Sequence, residues 1–215
     1  MANELVVAIT WACRYSVRTY ASFGREVPAP RPACIGCDKQ MAFDGSYPRQ
    51  VREAGTVHRI IVRRVRCRRC GIRDALLPDF VLRNRPDSAV SVGAAVIAPA
   101  GHALDDRVLT LYREVPERTV RSWRQRFSEQ ADELTARFSA LCVEWGGLVP
   151  RYPPTPVERA LVTIKAVWQR ARRRFEHVPA PWSPANLIVG SQLLSSRVDL
   201  PWPIVPSMIG RSRGP

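Results

Sequence analysis

Two short cysteine motifs, Cys34-Ile35-Gly36-Cys37 and Cys67-Arg68-Arg69-Cys70, carry the chemistry most directly read from this chain of 215 residues. Each motif puts two thiols on one tight turn, and two such turns brought together offer four sulfurs to a single tetrahedron. Zn²⁺ takes that donor set in that geometry and is left with no open coordination position. A closed site of this kind is structural, because it has nowhere to hold an activated water. The 29 residues between the pairs exceed the usual spacing of roughly 15–20, and a longer hairpin accommodates them. The competing reading is a redox or disulfide role. It leaves Cys13 and Cys142 as isolated thiols and has no secretory signal behind it.

The second pair lies in a strongly basic stretch. From Arg49 to Arg73 there are nine arginines and one acid, Glu53. A solvated surface normally mixes both signs, so this segment concentrates positive field and attracts a polyanion through counterion release. Arg63, Arg64, Arg66, Arg68 and Arg69 are the candidate phosphate contacts. A plainer account is a charged face in a protein encoded at high GC content, since arginine outnumbers lysine 31 to 2. That bias explains why arginine replaces lysine, but it does not explain the missing acids.

Nothing in the chain assembles into a catalytic set. His58, His102 and His177 are scattered, and no nucleophile–base pair or glycine-rich phosphate loop is present. Asp105 and Asp106 stand side by side at an expected helix start, where capping and dipole complementarity account for them. His58 could replace a thiol as a metal ligand, but four cysteines are already paired. The expectation is a protein that is not an enzyme.

Composition sets wider bounds. The formal charge is +14, or about +12 once four thiolates and one Zn²⁺ are counted. Hydrophobic residues make up 46%, enough for packed cores and too many for a disordered basic tail. No apolar run approaches the roughly 20 residues that cross a membrane. Without a basic segment leading into an apolar core at the N-terminus, export is not expected. A bacterial, cytoplasmic and nucleoid-associated protein is the resulting expectation.

The elements that must position these groups follow from turn residues and periodicity. Residues 3–9 read as a short strand and 13–23 as a brief helix closed by Gly24. Pro28, Pro30 and Pro32 form an extended linker that delivers the chain to Cys34. Asp44-Gly45-Ser46 marks a turn, and Ala54-Gly55 reverses the chain between strands at Tyr47–Glu53 and Thr56–Arg66. Leu76-Leu77-Pro78 leads out of the ribbon.

From Ser88 the pattern turns helical. Ser88 to His102 reads as a buried helix interrupted near Pro99, and Asp105 to Glu114 as a second. A third starts after Pro116, which suits a first helical position, and runs to about Phe127. In it Val120, Trp123 and Phe127 make one inward stripe. Arg118, Thr119, Arg121, Ser122 and Gln125 then face outward and suit base edges in a major groove, arginine on guanine and glutamine on adenine. An ordinary amphipathic helix with a basic solvent face has the same periodicity.

The run Val115-Pro116-x-x-Thr119-Val120-Arg121-x-Trp123 resembles the turn and recognition helix of helix-turn-helix domains in transposases and related regulators. With the two CxxC pairs and Leu76-Leu77-Pro78, it is similar to the N-terminal DNA-binding part of insertion-sequence transposases. It most resembles an uncharacterised bacterial family with the same zinc-ribbon and helix-turn-helix order, associated with mobile elements. The similarity covers about residues 30–128, with weaker echoes from Trp182 to Leu194, and implies DNA binding. One departure stands out: Arg113-Glu114 occupies the place where such domains have Leu-Gly.

Beyond Phe127, Ser128 to Trp145 continues as helix to a stop at Gly146-Gly147, and Val157 to Glu176 forms a basic helix after a proline-rich linker. The remainder is proline-rich, with at most a short helix between Pro184 and Leu194. Trp182, Ile188, Leu193, Leu194, Leu200 and Trp202 are apolar enough to pack on the body or to mark a partner surface. The expected architecture is α+β: an N-terminal strand and helix (1–33), a small β zinc ribbon (34–80), a helix-turn-helix region (88–147), a basic helix (157–176) and a proline-rich C-terminal tail (177–215). The expected function is binding of double-stranded DNA, as a transcriptional regulator or a non-catalytic mobile-element accessory, with structural Zn²⁺. The alternative is a protein-interaction adaptor that docks on a nucleic-acid machine through the ribbon and the apolar tail. The sequence leaves the oligomeric state open.

Overall fold

The computed structural model describes residues 8–98, 110–149, 151, 153–174 and 182–194. Its elements are β1 (Ile9–Trp11), α1 (Val17–Ser22), a 3-10 turn (Gly24–Glu26), β2 (Ala42–Glu53), β3 (Thr56–Arg66), β4 (Arg73–Pro78), α2 (Ala89–Ile97), α3 (Glu117–Glu129), α4 (Ala131–Glu144), α5 (Pro156–Arg174) and α6 (Trp182–Ile188). The mixed α+β character matches the sequence reading.

The sheet grows from the hairpin. Ala54 and Gly55 both take positive φ, +47° and +74°, as a two-residue reversal between right-twisted strands requires, and Glu53 pairs with Thr56 across it. The turn expected at Asp44-Gly45-Ser46 is instead a bulge inside β2, where the register slips between Phe43 and Ser46 and Gly45 adopts φ +91°. Pro48 is tolerated because β2 is the outer strand of the order β1-β4-β3-β2, so its missing N–H interrupts no inner ladder.

Leu76-Leu77-Pro78 does not lead away from the ribbon. It lies in β4, an inner strand that pairs antiparallel with β3 and parallel with β1, where Ile9, Thr10 and Trp11 stand against Leu76, Leu77 and Pro78. The imperfect alternation of β3 has the same origin: Val62 and Val65 point to opposite faces, and both are fully buried. Val17 and Tyr20 of α1 complete this first core, and the Tyr20 hydroxyl donates to the Ile61 carbonyl at 3.1 Å.

A second core is helical. Trp123 and Phe127 of α3 are completely buried with Leu134, Phe138 and Leu141 of α4 and Ala160, Ile164 and Val167 of α5. Ser88 caps α2, its hydroxyl accepting from the Ser91 N–H. The helix expected to run from Ser128 breaks at Gln130, so α3 and α4 are separate. The helix expected over Asp105–Glu114 falls largely on residues outside those described, and 111–114 form turns.

The C-terminal segment packs on the body. Trp182 lies flat on α2, where a methyl group at Gly93 would sit 2.0 Å from its ring. The Asn186 amide donates to the carbonyls of Asp79 (2.6 Å) and Val81 (2.9 Å), and the Ser191 hydroxyl bonds that of Thr10 at 2.8 Å. Residues 182–194 therefore stitch the helical core to the sheet. Leu200 and Trp202 lie outside the described residues. No described helix is long and apolar enough to cross a membrane.

Candidate metal centre and nucleic-acid interface

Both cysteine motifs fold into the same knuckle. In the first, the Cys34 N–H donates to the Lys39 carbonyl (2.8 Å) and the Asp38 N–H to the Cys34 carbonyl (2.8 Å). In the second, the Cys67 N–H donates to the Ile72 carbonyl (2.8 Å) and the Gly71 N–H to the Cys67 carbonyl (2.9 Å). Each knuckle is closed by an equivalent antiparallel pair, Ala33 with Gln40 and Arg66 with Arg73. The residue after each second cysteine must enter left-handed backbone, at φ +57° for Asp38 and +74° for Gly71. Glycine meets that demand without cost and aspartate tolerates it. The knuckles also pack on each other: a methyl group at Gly36 would lie 3.1 Å from Ile72 Cδ1.

This packing converges the sulfurs of Cys34, Cys37, Cys67 and Cys70 to within 4.8 Å of one another. Cys37 and Cys67 Sγ are 3.5 Å apart, well beyond a disulfide bond of about 2.05 Å. A tetrahedron of thiolates about 2.3 Å from a shared cation has edges of about 3.8 Å, so the donor set fits a metal ion. None of the six cysteines is in a disulfide. The Cys70 N–H donates to Cys67 Sγ at 3.4 Å, and such backbone bonds lower the Cys67 thiol to about 7. Burial raises Cys34, and the hydrogen bond with Cys37 pushes Cys70 up to about 12. Four thiols this close share protons in the absence of a cation, and a cation displaces them.

The two knuckles share a backbone but display different chemistry. The first exposes Ile35; the second exposes Arg68 and Arg69. Together with Arg64 and Arg66 at the end of β3, these arginines are exposed and form no ion pair with any described residue. Arg64 lies over the Tyr47 ring at 5.0 Å. Arg66 stands directly opposite Arg73, a like-charged pair that disfavours the sheet unless an anion intervenes. Asp44 draws Arg73 aside at 3.2 Å.

Three other arginines of this stretch are structural. Arg49 donates to the carbonyls of Leu82 and Arg85, and Arg52 pairs with the buried Asp87 at 2.6 Å. Arg63, expected on phosphate, is half-buried and donates to the Arg25 carbonyl. Its guanidinium also covers the Phe43 ring at 5.3 Å, with Arg31 over the same ring at 5.3 Å. Arg31 was not singled out by sequence reasoning, because it stands alone among prolines. Asp38 was missed too, although its position after Cys37 mirrors that of Gly71 after Cys70.

The domain family whose profile matches this chain is described only as a domain of unknown function (DUF6431). The match covers residues 34–123. It runs from Cys34 to the buried Trp123 of α3 and so takes in the whole sulfur cluster. No curated protein and no solved structure matches the chain.

On α3 the inward stripe is as expected, with Val120, Trp123 and Phe127 buried. Of the outward set, Arg118, Arg121 and Gln125 are exposed and Thr119 and Ser122 half-buried. Arg121 pairs with Glu117 at 2.9 Å, and the Gln125 amide donates to Glu129 at 3.0 Å. Arg124 is anchored on the Ala95 carbonyl of α2 at 2.8 Å. Glu114, standing where the resembled families have glycine, presses on the hairpin turn: a methyl group at Gly55 would sit 2.2 Å from its Oε2. Glu114 is thus a contact between the hairpin and the helical region.

Proposed function

We propose that this chain is a non-catalytic DNA-binding protein in which a structural Zn²⁺, held by Cys34, Cys37, Cys67 and Cys70, rigidifies a basic ribbon end that grips phosphate. Zinc suits four closed thiolates better than a hard cation does. The observation that carries the reading is the row Arg64, Arg66, Arg68 and Arg69, exposed and without ion pairs among the described residues on the metal-stapled end of the sheet. Phosphate contacts of this kind set register, and base-edge contacts from Arg118, Thr119, Arg121, Ser122 and Gln125 supply sequence preference. This fits either a regulator or an accessory of a mobile element. Of the six apolar tail residues that the adaptor reading uses, Trp182, Ile188, Leu193 and Leu194 are buried within the protein, and Leu200 and Trp202 lie outside the described residues.

Salt titration of duplex affinity tests the proposal. Affinity should fall steeply with salt, and Arg64→Ala should flatten the slope by about one unit. An affinity indifferent to salt would refute it.

A further inference from the structure

The bulge in β2 leaves an aromatic ring in the open near the sulfur cluster. The register slips just after Phe43, which stands opposite Val65, two residues before Cys67. A bulge of this kind re-aims side chains, and Phe43 is 36% exposed. Two guanidinium groups lie over its ring, those of Arg31 and Arg63, each 5.3 Å from the centroid. Both distances fall within cation–π range.

Each arginine of this stack has its own anchor. Arg63 is half-buried and donates to the Arg25 carbonyl. Arg31 stands between Pro30 and Pro32, and the residue before a proline is confined to extended backbone. The Pro32 carbonyl accepts from the Met41 N–H at 2.9 Å, and Ala33 bridges to Gln40. The linker is thus paired with the chain that enters β2, which brings Arg31 beside Phe43. Arg31 is exposed and forms no ion pair with any described residue. Its contact with the ring occupies none of its N–H donors.

We propose that Arg31 is a phosphate contact on duplex DNA, pre-positioned by Phe43, and that Arg63 anchors the stack. An unsupported arginine such as Arg68 gives up rotamer freedom when it meets a phosphate. Arg31 has given up part of it already, because backbone and ring hold it. Its planar fork then meets phosphate oxygens bidentately. The inference rests on the DNA-binding reading above and adds a contact from outside the arginine-rich stretch.

The test is a double-mutant cycle on the full-length, metal-loaded protein, with duplex affinity read by fluorescence anisotropy across a salt series. Arg31→Ala should weaken binding and flatten the salt slope by about one unit. Phe43→Leu removes no charge, so it should leave the slope unchanged while weakening binding about two- to fivefold. In the Arg31→Ala background the same change should cost less than about 1.5-fold, because the ring then has no contact to position. Phe43→Tyr keeps a ring and should bind like the parent. Arg31→Lys keeps the charge but not the fork, and should retain the slope without the affinity. Metal content and Tm show that each variant is folded. Should Phe43→Leu lose metal, Phe43→Ile, suited to a strand, takes its place in the cycle. An unchanged slope in Arg31→Ala, or equal costs of the Phe43 change in both backgrounds, overturns the inference while salt-sensitive binding by the parent still stands. A parent protein whose affinity is indifferent to salt would instead remove the DNA reading itself.

Discussion

The two basic regions of this molecule hold part of their charge in different ways. At the ribbon end, Arg64, Arg66, Arg68 and Arg69 protrude from a frame fixed by four converging sulfurs and carry no counter-charge among the described residues. On α3, Arg118 is exposed as well, but Arg121 lies one helical turn from Glu117 and pairs with it, and the neutral Gln125 amide bonds to Glu129. A helix folds its own acids onto its bases at i and i+4, whereas a hairpin must import acids from elsewhere. Density of arginine in sequence is therefore a poor guide to available charge. The ribbon should grip at first encounter, and α3 must exchange its internal pairs for a partner's.

The regions also differ in what holds them. The ribbon end depends on the sulfur cluster, and the helical region on apolar packing around Trp123 and Phe127. The largest expected effect comes from stripping the metal with a chelator. Structural zinc contributes on the order of 10–16 kcal/mol in small zinc-folded peptides. Amide protection should therefore be lost across the knuckles and β2–β4, and kept in α3 and α4. Simultaneous loss of both would show one cooperative unit and dissolve the contrast. Trp182→Ala is the converse probe. Removing the ring that covers Gly93 should cost about 3–5 kcal/mol, seen as a lower Tm, with metal stoichiometry unchanged.

A smaller effect lies at the seam between the regions. Burial raises Asp79 from 3.8 to about 7, and its Oδ1 has no protein partner. Between about pH 4 and 7 the folded chain keeps a proton that the unfolded chain has lost. Stability from this group therefore falls as pH rises through that window and is level above it. Asp79→Asn should remove this component, on the order of 2–4 kcal/mol between pH 5 and pH 8. Urea midpoints of both proteins at the two pH values measure it. The subtraction also cancels the opposite trend of the thiolates, which lose metal as they protonate. The smallest effect sharpens the charge comparison: Glu117→Gln frees Arg121 and should raise duplex affinity by about two- to threefold. No change would mean that the pair already dissolves in solution.

What the sequence disclosed was local. The CxxC pairs, the Ala54-Gly55 reversal and the Val120/Trp123/Phe127 stripe each depend on neighbours within a few residues, and each stands where expected. What it concealed was pairing at long range. Nothing near Leu76 announces that Ile9 will lie beside it, and nothing near Asn186 announces a bond to Asp79. Burial of β3 on both faces erased the period of two that would have revealed its orientation. The structural roles of Arg49 and Arg52 were hidden for a similar reason: their partners, at residues 82–87, lie outside the basic stretch in which they were counted.

The stitching by residues 182–194 has a consequence for biogenesis. A ribosome delivers β1 long before this segment, yet Thr10 and Ser191 end up sharing a hydrogen bond across 181 positions. Until Trp182 emerges, the face of α2 at Gly93 stands open and the carbonyls of Asp79 and Val81 lack their amide donor. The nascent chain thus carries an unsealed seam until this segment has left the exit tunnel and completes the joint that Arg52 and Asp87 begin.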